Sequence, residues 1–121
     1  MYGLSVKSHF DAAHHLPGYP GECAGLHGHT WDVEVVVEGE ALDEVGIVYD
    51  FKRLKGDLAT VLDELDHVCL NDVPPFDSLS PTAENLARHV HDSLVRAISG
   101  PVRVTQVSVW ESPVARITYR P

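Results

Sequence analysis

The sequence predicts an α+β domain of order ββααββ, with two helices on one face of an antiparallel four-stranded sheet. Three observations carry this expectation: apolar residues alternate near both ends of the chain, they recur at helical spacing in the middle, and Gly/Pro-rich stretches separate the segments. Strand runs flanking a helical pair favour segregated layers over a parallel α/β sheet.

Residues 2–14 (YGLSVKSHFDAAH) alternate imperfectly and read as a first strand, and 27–38 (HGHTWDVEVVVE) alternate more cleanly and read as a second. Pro17, Gly18, Pro20, Gly21 and Gly25 make their connection an irregular loop, so the two form a long hairpin. From Asp50, placed to cap a helix, Phe51, Leu54, Leu58, Val61, Leu62 and Leu65 recur at helical spacing. A proline-rich loop, 71–81, leads to a second helix with Leu86, Val90, Leu94, Ala97 and Ile98 as its apolar stripe. Ser80 or Thr82 could cap it, and Gly100-Pro101 stops it. Residues 102–111 and 115–120 read as two strands turning through Ser112-Pro113. Such a sheet leaves two open edges, which assembly with further copies would close.

The length of 121 residues makes 1–121 a single domain, and 44% hydrophobic with 22% charged residues is ordinary for a folded one. A net charge of −9 repels a phosphate backbone, which argues against nucleic acid and anionic membranes as partners. No apolar run approaches the roughly 20 residues of a membrane helix, and the start MYGLSVKSHFD does not look like a signal peptide. The expectation is a cytoplasmic enzyme or binding domain. Cys23 and Cys69 could form one bridge only, disfavoured in a reducing compartment. The compositional outlier is histidine, with eight.

The strongest local signal is His27-Gly28-His29. In a strand, residues i and i+2 share a face about 7 Å apart, so two imidazoles can converge on one cation while Gly28 leaves room. Phe10, Ala12 and His14 likewise share a face of the first strand, so His14 could supply a third ligand across the hairpin. Three histidines with an open position describe a catalytic zinc. Cys23 lies in the Gly/Pro loop rather than in an apolar element, and a nearby dication would favour its thiolate as a base. Zinc ligation by Cys23 is the alternative, while Cys69 reads as a small core residue. Asp66-His67, at the end of the first helix, pairs a carboxylate with an imidazole and suits proton transfer near neutral pH. A solvated helix end explains the pair equally well. Glu111 reads first as a polar strand terminus.

Together, F-x-A-A-H at Phe10 to His14, C-x-x-x-H-G-H at Cys23 to His29, L-D-H at Leu65 to His67, P-T-x-E-N-L at Pro81 to Leu86, and Trp110-Glu111 resemble the 6-pyruvoyl-tetrahydropterin synthase family, in order over nearly the whole chain. The three-residue spacer after Cys23 is similar to the 6-carboxytetrahydropterin synthase branch, which serves queuosine and deazapurine synthesis. The resemblance implies a tunnelling fold whose subunits join sheets into a barrel, commonly as a homohexamer of two trimers. It implies that His14, His27 and His29 bind Zn2+, that Cys23, Asp66 and His67 transfer protons, that Glu111 anchors the pterin, and that Thr82 and Glu84 lie near the pocket. The implied substrate is 7,8-dihydroneopterin triphosphate. The implied products are 6-carboxytetrahydropterin, triphosphate and acetaldehyde. His15 stands where Arg is frequent in the family and Ser112 where Thr is usual. The acidic chain also calls for Lys or Arg gathered at the pocket mouth.

Other readings compete. Within the family, pyruvoyl product formation or an aldolase-like reaction is possible, the latter using a glutamate such as Glu22 in place of the cysteine. In a different class, Gly21, His27, His29 and Glu34 match the spacing of a cupin metal motif. Glu34 has the opposite strand parity to His29, however, and two long helices do not belong in that barrel. A zinc module without catalysis leaves Cys23, Asp66 and His67 unused.

Overall fold

In the computed structural model, which describes residues 1–20 and 25–121, β1 (Tyr2–His14) and β2 (His27–Gly39) pair antiparallel from Tyr2 opposite Gly39 to His14 opposite His27. The alternation seen in the sequence sorts the two faces. Leu4, Val6, Phe10, Ala12 and His14 of β1 are buried, as are Trp31, Val33, Val35 and Val37 of β2. β4 (Arg103–Ser112) pairs with β2, and β5 (Ala115–Tyr119) pairs with β4, both antiparallel. A register shift between Val36 and Val37 lets both Val104 and Val107 point into the core.

The helices cover the apolar face. α1 (Phe51–Asp63) begins at Asp50, whose carboxylate accepts from the Lys52 amide at 2.8 Å, and it buries Leu54, Leu58, Val61 and Leu62. α2 (Ala83–Ala97) begins at Thr82, whose hydroxyl accepts from the Asn85 amide at 3.1 Å, and it buries Leu86, Ala87, Val90 and Leu94. α1 packs on β1 and α2 on β4 and β5, with the helices touching each other. Each fully buried leucine contributes about 2 kcal/mol, so this single layer of contacts carries the fold.

The α+β architecture stands, but the sheet has five strands rather than four. β3 (Val68–Cys69) lies parallel to β1 opposite Ala12 and Ala13, giving the order β3-β1-β2-β4-β5 and a mixed sheet. Two residues are too short to show periodicity. β3 belongs to a strap running from Asp66 to Asn71 along the outer edge of β1. At one end the Asp11 amide donates to Asp66 Oδ1 at 2.9 Å and the His67 amide donates to the Asp11 carbonyl at 2.6 Å. At the other, the Asn71 side chain accepts from the His15 amide at 3.0 Å and donates to the His15 carbonyl at 3.1 Å. Among the described residues, no helix is long and apolar enough to cross a membrane.

Candidate functional site

The core alternation runs on into a polar cluster. His14 follows Phe10 and Ala12 on β1, His27 and His29 precede Trp31 on β2, and Glu111 follows Val107 and Val109 on β4. Each therefore points to the core face at one end of the sheet. The four donor atoms lie within 4.8 Å of one another. Trp31 floors the cluster, with ring centroids 4.9 Å from His14 and 5.1 Å from His29, and its indole N–H donates to the Ala12 carbonyl at 3.3 Å.

Hydrogen bonds fix which ring nitrogens carry protons. His14 Nδ1 lies 2.8 Å from the Pro81 carbonyl and His27 Nδ1 lies 2.6 Å from the Gly25 carbonyl. A carbonyl can only accept, so both Nδ1 atoms are donors and both Nε2 atoms of the neutral rings carry lone pairs. Those two Nε2 atoms face each other at 2.9 Å. Two facing lone pairs at that distance repel unless a proton or a metal cation sits between them. The carbonyl partners are also the outer-shell bonds that orient metal-binding imidazoles. His29 Nε2 is buried and lies 3.1 Å from Glu111 Oε1, an approach not aligned for a hydrogen bond. Burial holds the pKa of His14 below its ordinary value, opposed by the Pro81 bond, and burial likewise lowers that of His29, opposed by Glu111. Both effects favour the neutral imidazole that binds metal. The set could hold a metal ion, as the sequence spacing anticipates for the three histidines.

A second cluster occupies the other face. Asp11, Ala13, Gly28 and Thr30 have the opposite parity and look into an open cleft of about 530 Å³, which His67 and Cys69 also line and which His29 reaches. A Cβ at Gly28 would point to this side and meet the Ala12 carbonyl at 4.0 Å, an ordinary contact. Asp66 and His67 lie beyond α1, in the turn leading to β3, and not at the helix end expected from periodicity. His67 adopts φ 58°, a left-handed conformation that costs a non-glycine residue about 1 kcal/mol. Its ring is 77% exposed, with Nδ1 in ion-pair contact with Asp66 Oδ2 at 2.9 Å. The Asp11 amide, then the His67 ring, holds the Asp66 carboxyl below its usual range.

The remaining candidates divide. Cys23 and Glu22 lie outside the described residues. Thr82 spends its hydroxyl on capping α2, and Glu84 is exposed in that helix's first turn; neither lines the cleft nor joins the histidine cluster. Cys69 is half-buried at the cleft, with Sγ 4.0 Å from Asn71 Oδ1, and is not the core residue expected. No Lys or Arg lines the cleft among the described residues; Lys7 and Arg116 instead gather over the Trp110 ring, at 4.7 and 5.5 Å. Sequence reasoning missed Asp11, whose carboxylate accepts from the Thr30 hydroxyl at 2.5 Å and lies within 4.8 Å of the Asp66 and His67 donors. It is the variable residue of F-x-A-A-H, and nothing in periodicity marks it.

Comparison with known proteins gives this geometry a lineage. The model of the 6-pyruvoyl tetrahydropterin synthase family matches residues 3–121. The chain belongs to that family. Relatives carry several activities. The chain is 40% identical over 124 residues to a 6-carboxy-5,6,7,8-tetrahydropterin synthase from Synechocystis, covering 98% of this chain and 93% of that one. It is 39% identical over 108 residues to the dihydroneopterin monophosphate aldolase of Pyrococcus furiosus, covering 89% and 88%. Among solved structures, the Caenorhabditis elegans 6-pyruvoyl tetrahydropterin synthase superposes with a TM-score of 0.90 at 30% identity, covering 99% of this chain and 95% of that one. This member of the family thus has its fold over the full length and a four-donor cluster at one sheet end.

Proposed function

We propose that the protein is a zinc-dependent 6-carboxytetrahydropterin synthase, a lyase that converts 7,8-dihydroneopterin triphosphate to 6-carboxy-5,6,7,8-tetrahydropterin with release of triphosphate and acetaldehyde. The observation that carries the metal half is the pair of Nε2 lone pairs of His14 and His27 facing each other at 2.9 Å beside the buried His29. Donors to a tetrahedral zinc stand about 3.3 Å apart, given bonds of about 2.0 Å, and the His14–His27 separation lies near that spacing with the other donors within 4.8 Å. Zinc bound there supplies Lewis acidity toward the hydroxyl and carbonyl oxygens of the substrate side chain.

The chain's own residues move the protons. Asp66, 2.9 Å from His67 Nδ1, is assigned the partner that orients the ring, and His67 Nε2 is assigned to accept or return a proton at the cleft surface. Cys23, four residues before His27, is assigned the base that takes a proton from the substrate side chain. Glu111 is assigned the amino-pyrimidinone edge of the pterin, which a carboxylate can meet with two hydrogen bonds. With no Lys or Arg lining the cleft of one chain among the described residues, the cations that meet the triphosphate come from a neighbouring copy. A homohexamer supplies such a copy: β5 ends one side of the sheet, and on the other the two-residue β3 leaves most of the β1 edge unpaired within the chain. Its product would serve queuosine or deazapurine synthesis, and its place would be the cytoplasm.

Mass spectrometry of 7,8-dihydroneopterin triphosphate turnover with an aldehyde trap tests the reaction. The expected result is 6-carboxytetrahydropterin with acetaldehyde. Accumulated 6-pyruvoyl-tetrahydropterin without acetaldehyde would refute the carboxy assignment. The second reading is aldolase chemistry, favoured by the 39% identity to the Pyrococcus enzyme. Glycolaldehyde from dihydroneopterin or its monophosphate would select it, and Glu22→Ala against Cys23→Ala would then identify the base.

A further inference from the structure

The sequence reading keeps the fourth coordination position of the metal centre open for substrate. The structure brings a fourth donor, the Glu111 carboxylate, to the three histidines. We infer that Glu111 is the fourth, closing ligand of the centre in the resting protein, and that a bound substrate gains its metal position by displacing this carboxylate.

Glu111 Oε1 lies 3.1 Å from His29 Nε2 and 3.6 Å from His14 Nε2, while His14 and His27 Nε2 are 2.9 Å apart. These separations bracket the roughly 3.3 Å edge of a tetrahedron with bonds of about 2.0 Å, and a carboxylate oxygen is an ordinary zinc donor. The backbone delivers it. β4 and β5 pair Trp110 with Arg116 and Ser112 with Ala115, so Glu111 is the extra residue of a bulge. A bulge re-aims one side chain and frequently borders an active site. Strand alternation after Val107 and Val109 aims the Glu111 carboxylate at the core face, and the bulge marks the end of the sheet where it sits. Three neutral imidazoles leave a zinc ion with its full double charge in a half-buried pocket, and Glu111 offsets half of it. A tetrahedral centre with four protein donors has no position left for a substrate oxygen, so that oxygen takes the place of the carboxylate.

This inference rests on the metal half of the proposed function and not on pterin turnover. Full-length protein stripped of metal is titrated with zinc against a chromophoric chelator, as wild type, Glu111→Gln and Glu111→Asp. The expected result is a Kd for zinc raised roughly 10- to 100-fold in Glu111→Gln, with a changed visible spectrum after loading with cobalt(II). Wild-type zinc affinity and an unchanged cobalt spectrum in that variant would overturn the inference. If Glu111→Gln and Glu111→Asp fail to fold, wild-type protein carrying ¹³C-carboxylate glutamate gives the answer by difference infrared spectroscopy. A glutamate band that shifts on zinc addition supports ligation, and no shift refutes it. Addition of 7,8-dihydroneopterin should reverse that shift; a band that stays put in saturated protein refutes displacement. Glutamate-dependent zinc affinity without pterin turnover would retire the functional reading alone, and turnover with zinc affinity indifferent to residue 111 would retire this inference alone.

Discussion

The two clusters of this protein sit on opposite faces of one sheet and are built by opposite means. His14, His27, His29 and Glu111 are placed by strand alternation and finished by carbonyl partners at Pro81 and Gly25. Asp66 and His67 are placed by a strap whose backbone binds Asp11, with a ring left 77% exposed. A metal centre needs neutral donors at fixed separations, which burial in a packed core supplies. A proton carrier needs contact with solvent and substrate, which a surface strap allows. Among the described residues, the donors and the dyad of one chain meet at the cleft near His29.

The largest effect that would break this contrast comes from the buried ligand. His14→Ala removes a side chain 1% exposed, leaves the Pro81 carbonyl without its donor and opens a hole beside Trp31, so it should cost about 3 kcal/mol and abolish zinc binding. His27→Ala, half-buried and at the strand end, should lose zinc with less than about 1 kcal/mol of stability in the metal-free protein. Urea unfolding with metal analysis separates them; equal stability losses would erase the distinction between core-built and rim donors.

His67→Gly should do the reverse. Relief of the φ of 58° gains about 1 kcal/mol, while loss of the imidazole lowers turnover by about 100-fold or more with zinc retained. Thermal melts and kinetics on the same preparation decide this, and a large loss of stability would show that the strap depends on the ring. A finer test mixes His27→Ala and His67→Ala chains by co-refolding. If the dyad serves a neighbour's metal centre, mixed assemblies regain part of the activity that each variant lacks alone; no regain places both halves of the site in one chain.

The smallest effects are electrostatic. Asp66 has its folded pKa below the unfolded value, so its ionised form stabilises the fold above that value of 3.8 and the contribution is lost as pH falls through the folded pKa. His14 and His29 also have lowered folded pKa values. They prefer to fold neutral, so metal-free protein should lose stability as pH falls below their ordinary 6.5. Asp66→Asn should shrink the acid arm, to which Asp43 also contributes, and leave the arm below 6.5, which His89 shares, as denaturant midpoints across pH would report. A variant that loses both arms would tie the clusters together energetically.

How much of this could be read beforehand follows from the range of the forces involved. β1, β2 and the histidines they carry were legible because burial imposes a period of two on the sequence itself, and Asp50 and Thr82 because capping acts within three residues. β3 was not, because two residues carry no period. Asp11 was invisible because its partner Asp66 is 55 positions away, and the dyad lies beyond the helix end that spacing suggested because α1 stops at Asp63. Cys69 looked apolar in context, yet the strap that turns it toward the cleft is held by Asn71, a polar anchor that periodicity does not weigh. Glu111 continues the alternation of Val107 and Val109, but its meeting with the histidines depends on the pairing of β4 with β2, which the period of a single strand does not carry.

The way the strap is fastened has a dynamic consequence. The amides of Asp11 and His15 donate to the side chains of Asp66 and Asn71, while the β1–β2 ladder runs along the other edge of the same strand. Lifting the strap would expose those two amides to solvent and leave the ladder closed. Hydrogen exchange at 11 and 15 is therefore a local clock for release of the dyad, running faster than exchange at the neighbouring amides that face β2.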